Sequence, residues 1–290
     1  MSRVYDALRK LEEEGRAATE VSSPKTLLVP ARSPEQLLSA PSVQARIGPG
    51  SRLVVYTDPR SPGAERFRLI RMSLRNLNVG KAFKSLLVTS ALPKDGKSTM
   101  ALNLATSLAE EGKVRVLLME ADLRRPSLLE HLGMDPSSGL TDVLEGHADA
   151  STAIRRVDPL GFFLLPAGHP ADRPTELLQS ERFLDLLREC RTSFDWVLLD
   201  CPPAFPLADV TALKAHTDGA LIVARAGSTP REAVLETVQL FKPGFVVGLI
   251  LNGADEVDKL YSHYYYQGEP SSGTGRQRSD GNRPRFGGNS

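Results

Sequence analysis

The chain has 290 residues, 41% hydrophobic and 24% charged, which suits one sizeable α/β domain with appendages. Its net charge of +1 provides no field for a polyanion, and its two distant cysteines, Cys190 and Cys201, make neither a disulfide framework nor a metal knuckle. The N-terminus is charged rather than built as a signal peptide, and the longest apolar runs are only of strand length, so neither nucleic-acid binding nor direct membrane insertion is expected.

In chain order, residues 2–15 predict a short amphipathic helix. Ser2 caps it, and Val4, Leu8 and Leu11 recur at helical spacing. Residues 20–62 carry seven prolines and little periodicity, which predicts a loosely packed linker. A second helix is predicted over about 63–77. Phe67, Ile70, Leu74 and Leu77 form its apolar stripe, while Glu65, Arg68, Arg71 and Arg75 form a charged one. From Lys84 onward short apolar runs ("SLLVTS", "VRVLLME", "GFFLLPA", "DWVLLD", "GALIVAR", "FVVGLILN") alternate with helical stretches. Runs of this kind are buried on both faces, so the expected fold is an α/β, P-loop NTPase-like parallel sheet with helices on each side. The expected divisions are an N-terminal helix and linker over 1–62, the α/β domain over 63–258, and a tail over 259–290. Four of the six tyrosines, Tyr261, Tyr264, Tyr265 and Tyr266, open that tail, and a Gly/Ser/Arg-rich stretch with little to bury follows.

The segment "ALPKDGKS", residues 91–98, matches the phosphate-loop template except that Ala91 stands for the first glycine. A predicted strand precedes it and a predicted helix follows. Pro93, Lys94, Asp95, Gly96, Lys97, Ser98 and Thr99 are therefore candidate nucleotide contacts. Successive backbone N–H groups and the helix N-terminus attract phosphate. Lys97 reaches the β/γ-phosphates and Ser98 offers its hydroxyl to Mg²⁺. Two more predicted strands end in acids: Glu120 and Asp122 in "VLLMEADLRRP", and Asp200 in "WVLLDCPP". Ligands of open α/β sheets bind at the carboxyl ends of strands, so the three carboxylates are expected to converge near the phosphate loop. Asp122 and Asp200, with Ser98, are the candidate Mg²⁺ ligands. Asn252 ends the last strand and is either an adenine contact or a turn residue.

With these residues the chain resembles bacterial tyrosine kinases of the capsule and exopolysaccharide type, over about residues 53–266. "ALPKDGKST", "LLMEADLRRP" and "VLLDCPP" resemble the three nucleotide motifs of that family. "GLTDVLEG" and "LLPAGHPADRPTELLQSERF" resemble further segments. The resemblance implies ATP and Mg²⁺ as cofactors and Lys97, Glu120, Asp122 and Asp200 as the catalytic set, with Glu120 orienting or deprotonating the incoming phenol. It also implies help from Arg124 with phosphate or with a partner's acid. Glu65, Arg68 and Arg71 fit the pattern by which such kinases pack into homo-oligomeric rings. The terminal tyrosines fit a cluster phosphorylated in a neighbouring subunit. A separate membrane adaptor of the chain-length-determinant type would hold the cytoplasmic protein at the membrane and activate it. The sequence departs from the family pattern at Glu120 (usually Asp), Lys94 (usually Gly) and Asp95 (usually Glu), and its tyrosine cluster is short. Two alternatives share the site: a nucleotide-dependent scaffold of the export machinery, and a partition-type ATPase. The latter carries a lysine where this chain has Leu92.

Overall fold

The structure, a computed structural model, describes residues 33–77, 83–205 and 208–254. Eight strands form one sheet: β1 (Ser42–Gln44), β2 (Ser85–Ser90), β3 (Val116–Glu120), β4 (Arg155–Asp158), β5 (Phe162–Leu165), β6 (Trp196–Asp200), β7 (Gly219–Arg225) and β8 (Val246–Asn252). Their order is β1-β4-β5-β3-β6-β2-β7-β8. Every neighbouring pair is parallel except β4 and β5, which run antiparallel. The α/β architecture is as expected. The antiparallel pair is the exception, and a connection of three residues between β4 and β5 explains it: a parallel crossover needs a dozen or more.

Strands β2, β3, β5 and β6 are buried along their whole length because alternate side chains enter two separate cores. On one face Leu87, Leu117, Met119, Leu165 and Leu199 pack with Phe183, Leu187 and Phe194. On the other, Leu86, Val88, Leu118, Leu164 and Leu198 pack with Leu102, Leu104 and Leu108 of the helix Lys97–Ala109. Each such side chain contributes about 1.5–3 kcal/mol by leaving water. Both faces are thereby closed, and the carboxyl ends of the central strands are left to carry polar groups.

Residues 33–57 do not form the loose linker that their prolines suggest. Pro34 is the first residue of the helix Pro34–Leu38, where a missing N–H costs nothing, and Gln36 Oε1 accepts from Ser33 N at 2.9 Å. Leu37 and Leu53 are core residues. β1 pairs with β4 from Ser42↔Arg156 to Gln44↔Asp158. Asn103, inside the helix Lys97–Ala109, ties down the next segment: its Nδ2 donates to Arg52 O at 2.9 Å and its Oδ1 accepts from Val55 N at 3.1 Å. The prolines punctuate short packed pieces here. The second predicted helix runs from Pro62 to Leu77, with Phe67 and Leu74 buried but Leu77 exposed. Among the described residues no helix is long and apolar enough to cross a membrane. The N-terminal helix expected over 2–15 and the tyrosine tail lie outside the described residues.

Candidate nucleotide site

The site forms where β2 turns into the helix Lys97–Ala109. Asp95 organises the turn although it is itself only 2% exposed. Its Oδ2 accepts from Leu92 N at 2.9 Å, and its Oδ1 accepts from Thr229 Oγ1 at 2.7 Å. Asn252, at the end of β8, donates from Nδ2 to Asp95 O at 2.8 Å. Asn252 thus supports the loop backbone. Gly96 is required by two facts: its φ is 97°, and a Cβ there would lie 2.2 Å from Asn252 Nδ2. Lys94 also has positive φ, 70°, at the position where the family pattern has glycine. For a residue with a side chain that conformation costs about 1–2 kcal/mol, so the loop retains the shape and loses the easiest residue for it. The side chain of Lys94 itself points outward and is exposed.

Lys97 opens the helix and reaches across to the acids. Its Nζ lies 2.9 Å from Asp122 Oδ2 and 3.4 Å from Ser98 Oγ. Burial works against its charge, but the carboxylates of Asp200 and Asp122 outweigh this and raise its pKa above the ordinary lysine value. Asp122 is held from the other side by Arg125 N, which donates to Oδ1 at 3.1 Å. Asp200 differs from both. It is fully buried, and among the described residues neither carboxylate oxygen has a hydrogen-bond partner. Burial pushes its pKa up to about 7, against the pull of the Lys97 ammonium. The Ser98 hydroxyl is near enough to favour the charged form but lies outside hydrogen-bond geometry. A buried carboxylate without donors, beside a lysine and a serine hydroxyl, is a hard-oxygen site in want of a cation. Asp200, Asp122 and Ser98 fit Mg²⁺ on that ground. Next along the chain, Cys201 is buried and its thiol is pushed well above the usual range by that burial, so it is inert.

Glu120 does not join this group as expected. It stands opposite Asp200 in the β3–β6 register, yet its carboxylate is turned to the backbone. Oε1 accepts from Ser127 N at 2.5 Å and Leu128 N at 2.7 Å, and Oε2 accepts from Ala167 N at 3.0 Å. At 1% exposure it presents no open face to a phenol. It anchors two loops beside the site. Arg124 is likewise committed within the domain: Nε donates to Asp209 Oδ2 at 2.7 Å and Nη2 to Thr175 Oγ1 at 3.0 Å. Thr229 and Asp209 were missed by sequence reasoning, since neither sits in a motif and the site residues they hold, Asp95 and Arg124, lie more than eighty residues away along the chain.

A family model described as an AAA domain matches residues 94–242, about half of the chain. The tyrosine-protein kinase YwqD of Bacillus subtilis is 33% identical over 223 residues, covering 75% of this chain and 92% of that protein. The succinoglycan biosynthesis transport protein ExoP of Rhizobium meliloti is 35% identical over 210 residues, 71% of this chain. This chain spans only 26% of ExoP's length. Among solved structures, the kinase domain of the Escherichia coli tyrosine kinase ETK superposes with a TM-score of 0.65 at 28% identity, covering 69% of this chain and 79% of that one. The chain belongs to the bacterial tyrosine-kinase family.

In this bacterial tyrosine-kinase family member the three residues expected to pack a ring divide. Glu65 Oε2 and Arg68 Nη1 form an ion pair at 2.6 Å on the outer side of the helix Pro62–Leu77. Arg71 turns inward: its Nη1 donates to Ser107 O at 3.0 Å and lies 3.4 Å from Glu110 Oε1. Arg68 Nη2 also donates to Pro59 O at 2.5 Å, so Glu65 and Arg68 differ from Arg71 in being the more exposed of the three, not in being free. The candidate phosphoacceptors Tyr261, Tyr264, Tyr265 and Tyr266 lie outside the described residues.

Proposed function

We propose that this protein is an ATP- and Mg²⁺-dependent protein-tyrosine autokinase that regulates polymerisation and export of a surface polysaccharide. The observation that supports this reading best is the orphaned Asp200 carboxylate beside Lys97 and Ser98, at the mouth of a phosphate loop in a family of tyrosine kinases. Mg²⁺, when bound, supplies charge neutralisation on the phosphate oxygens. Lys97, kept charged by two carboxylates, stabilises negative charge on the transferring phosphoryl group, and the loop amides orient it. Asp122 holds the Lys97 ammonium in place until phosphate competes for it. Phosphate goes to the tyrosines of the tail, Tyr261 and Tyr264 to Tyr266, in a neighbouring subunit of a homo-oligomer. A membrane adaptor recruits the protein from the cytoplasm and completes the site.

The three amides on Glu120 favour a second reading, a nucleotide-dependent scaffold, because they occupy the carboxylate proposed to take the phenol's proton. Mass spectrometry of the tail after incubation with Mg²⁺-ATP separates the two. Wild type and Lys97→Met are compared, each with and without the adaptor's cytoplasmic segment. Phosphotyrosine that disappears in Lys97→Met is the expected result. A tail left unmodified under every condition, on protein that binds ATP, leaves the scaffold.

A further inference from the structure

Away from the phosphate loop, a second group of ligand-type side chains meets at the protein surface. The helix Leu140–Glu145 ends in Glu145, and His147 follows within the next turn. The loop leaving β5 brings His169 against them. This close approach depends on Gly168, which has a φ of 88° and whose Cβ, if present, would lie 2.2 Å from Asp142 Oδ2. His169 Nε2 is 3.0 Å from Glu145 Oε2, and His147 Nδ1 is 3.4 Å from the same oxygen. One ligand atom from each of the three residues lies within 4.8 Å of the others, the one such group of three or more among the described residues.

We propose that Glu145, His147 and His169 form a binding site for a zinc-class transition-metal ion. The spacing supports this directly. Ligand atoms about 2.0–2.1 Å from a tetrahedral zinc stand about 3.3 Å from one another. Two of the three separations already have that size. The third, between the two imidazoles, is at most 4.8 Å, and the His147 side chain that must close it is 66% exposed. The chemistry of the set is imidazole and carboxylate, which selects zinc and its neighbours over Mg²⁺.

The surroundings of His169 are those of a metal ligand. Its Nδ1 lies 3.0 Å from Asp142 Oδ1. A ligating histidine commonly gives its other ring N–H to a carboxylate, which fixes the tautomer and aims the free nitrogen at the metal. With Nδ1 paired to Asp142, Nε2 is the nitrogen left for a metal; without one, its proton is what bridges the 3.0 Å to Glu145 Oε2. Asp142 is itself held by Gly139 N, which donates to Oδ2 at 2.8 Å. The orienting carboxylate therefore has its own support. Three protein ligands leave a fourth position for water or for a ligand from another molecule.

A metal here joins the end of one helix to residues 166–169. Ala167, in that stretch, donates its amide to Glu120. The ion thereby braces a loop that supports the strand end bearing Asp122. The site is independent of whether the protein transfers phosphate.

The test uses full-length protein stripped with EDTA and titrated calorimetrically with ZnCl₂ in the presence of excess Mg²⁺. Wild type, His147→Ala and His169→Ala are compared. His263→Ala serves as the control for the tail histidine. One zinc per chain in wild type and in His263→Ala, weakened at least about tenfold in both other variants, is the expected result. No saturable zinc binding, or binding that neither His147→Ala nor His169→Ala weakens, overturns the site and leaves a protonated His169 held by two carboxylates. Should an alanine variant lose its fold, cobalt(II) added to the wild-type protein decides. Tetrahedral ligand-field bands support the site, and the spectrum of the hexaaqua ion overturns it.

Discussion

Single residues in this protein show two states of a buried strand-end carboxylate, one left without hydrogen-bond partners among the described residues and one used as a fastening. Asp200 keeps both oxygens unengaged, whereas Glu120, beside it in the sheet, uses both on backbone amides. The extra methylene of glutamate reaches loops that the aspartate usual at this position would approach less closely. Glu120→Gln places an NH₂ group against one of those N–H donors and leaves a buried clash of donors. The expected cost is about 1–3 kcal/mol, a fall in melting temperature of several degrees, and faster hydrogen exchange at Ser127, Leu128 and Ala167. If Glu120 were the catalytic base, the same substitution would abolish transfer and leave the melting temperature unchanged. That Lys97, Ser98, Asp122 and Asp200 lie together was legible in the sequence, because a phosphate loop and acids at strand ends are local signals. The backbone partners of the Glu120 carboxylate were not legible, because which way a side chain turns at a strand end depends on loops far along the chain.

Elements were legible where burial is two-sided. The central strands read as continuous apolar runs and were found as such. The segment 33–57 was not, since a three-residue strand and helices of four and five residues have no periodicity to read. Its proline content argued for a linker, yet prolines at helix starts are compatible with tight packing. Leu37 is the residue that distinguishes the two views, being wholly buried against the core that includes Phe183, Leu186 and Leu187. Leu37→Ala is expected to cost about 2–5 kcal/mol in urea unfolding, with the transition still single. A change within about 0.5 kcal/mol, as for an ordinary surface substitution, would show that this segment is detached from the core.

Across the whole molecule, the two ends of the sheet are treated differently. At the amino end of β6, Asp195 is held three times by Arg115: Nη2 donates to Oδ1 at 2.7 Å, and Nε and the backbone N donate to Oδ2 at 3.2 and 3.0 Å. Arg115 holds the Asp195 carboxyl below the usual range. At the carboxyl end of the same strand Asp200 is unpaired and lifted to about 7. The strand is thus fastened at one end and left electrostatically unsatisfied at the other, the end proposed to hold the nucleotide and its cation. This has a consequence for stability that can be given a sign. A carboxyl whose folded pKa lies above its unfolded value near about 3.9 opposes folding once it ionises. In protein free of nucleotide and metal, that contribution is absent at pH 4. It grows as pH rises from about 4 to about 7, and is constant above. Asp200→Asn keeps the shape and removes the charge, leaving Lys97 its partner Asp122. In EDTA at pH 8 the variant is therefore expected to melt higher than wild type, by an amount of order a few kcal/mol at most. The gap should narrow as pH falls below about 7 and close at about pH 4. With Mg²⁺ and nucleotide the order should reverse, because the ligands stabilise wild type and bind the variant poorly. Thermal melts across pH, with EDTA and with Mg²⁺-ATP, measure both halves. A variant no more stable than wild type in EDTA at pH 8 would mean that Asp200 is satisfied in the ligand-free protein, and that the site is not held in readiness for a cation.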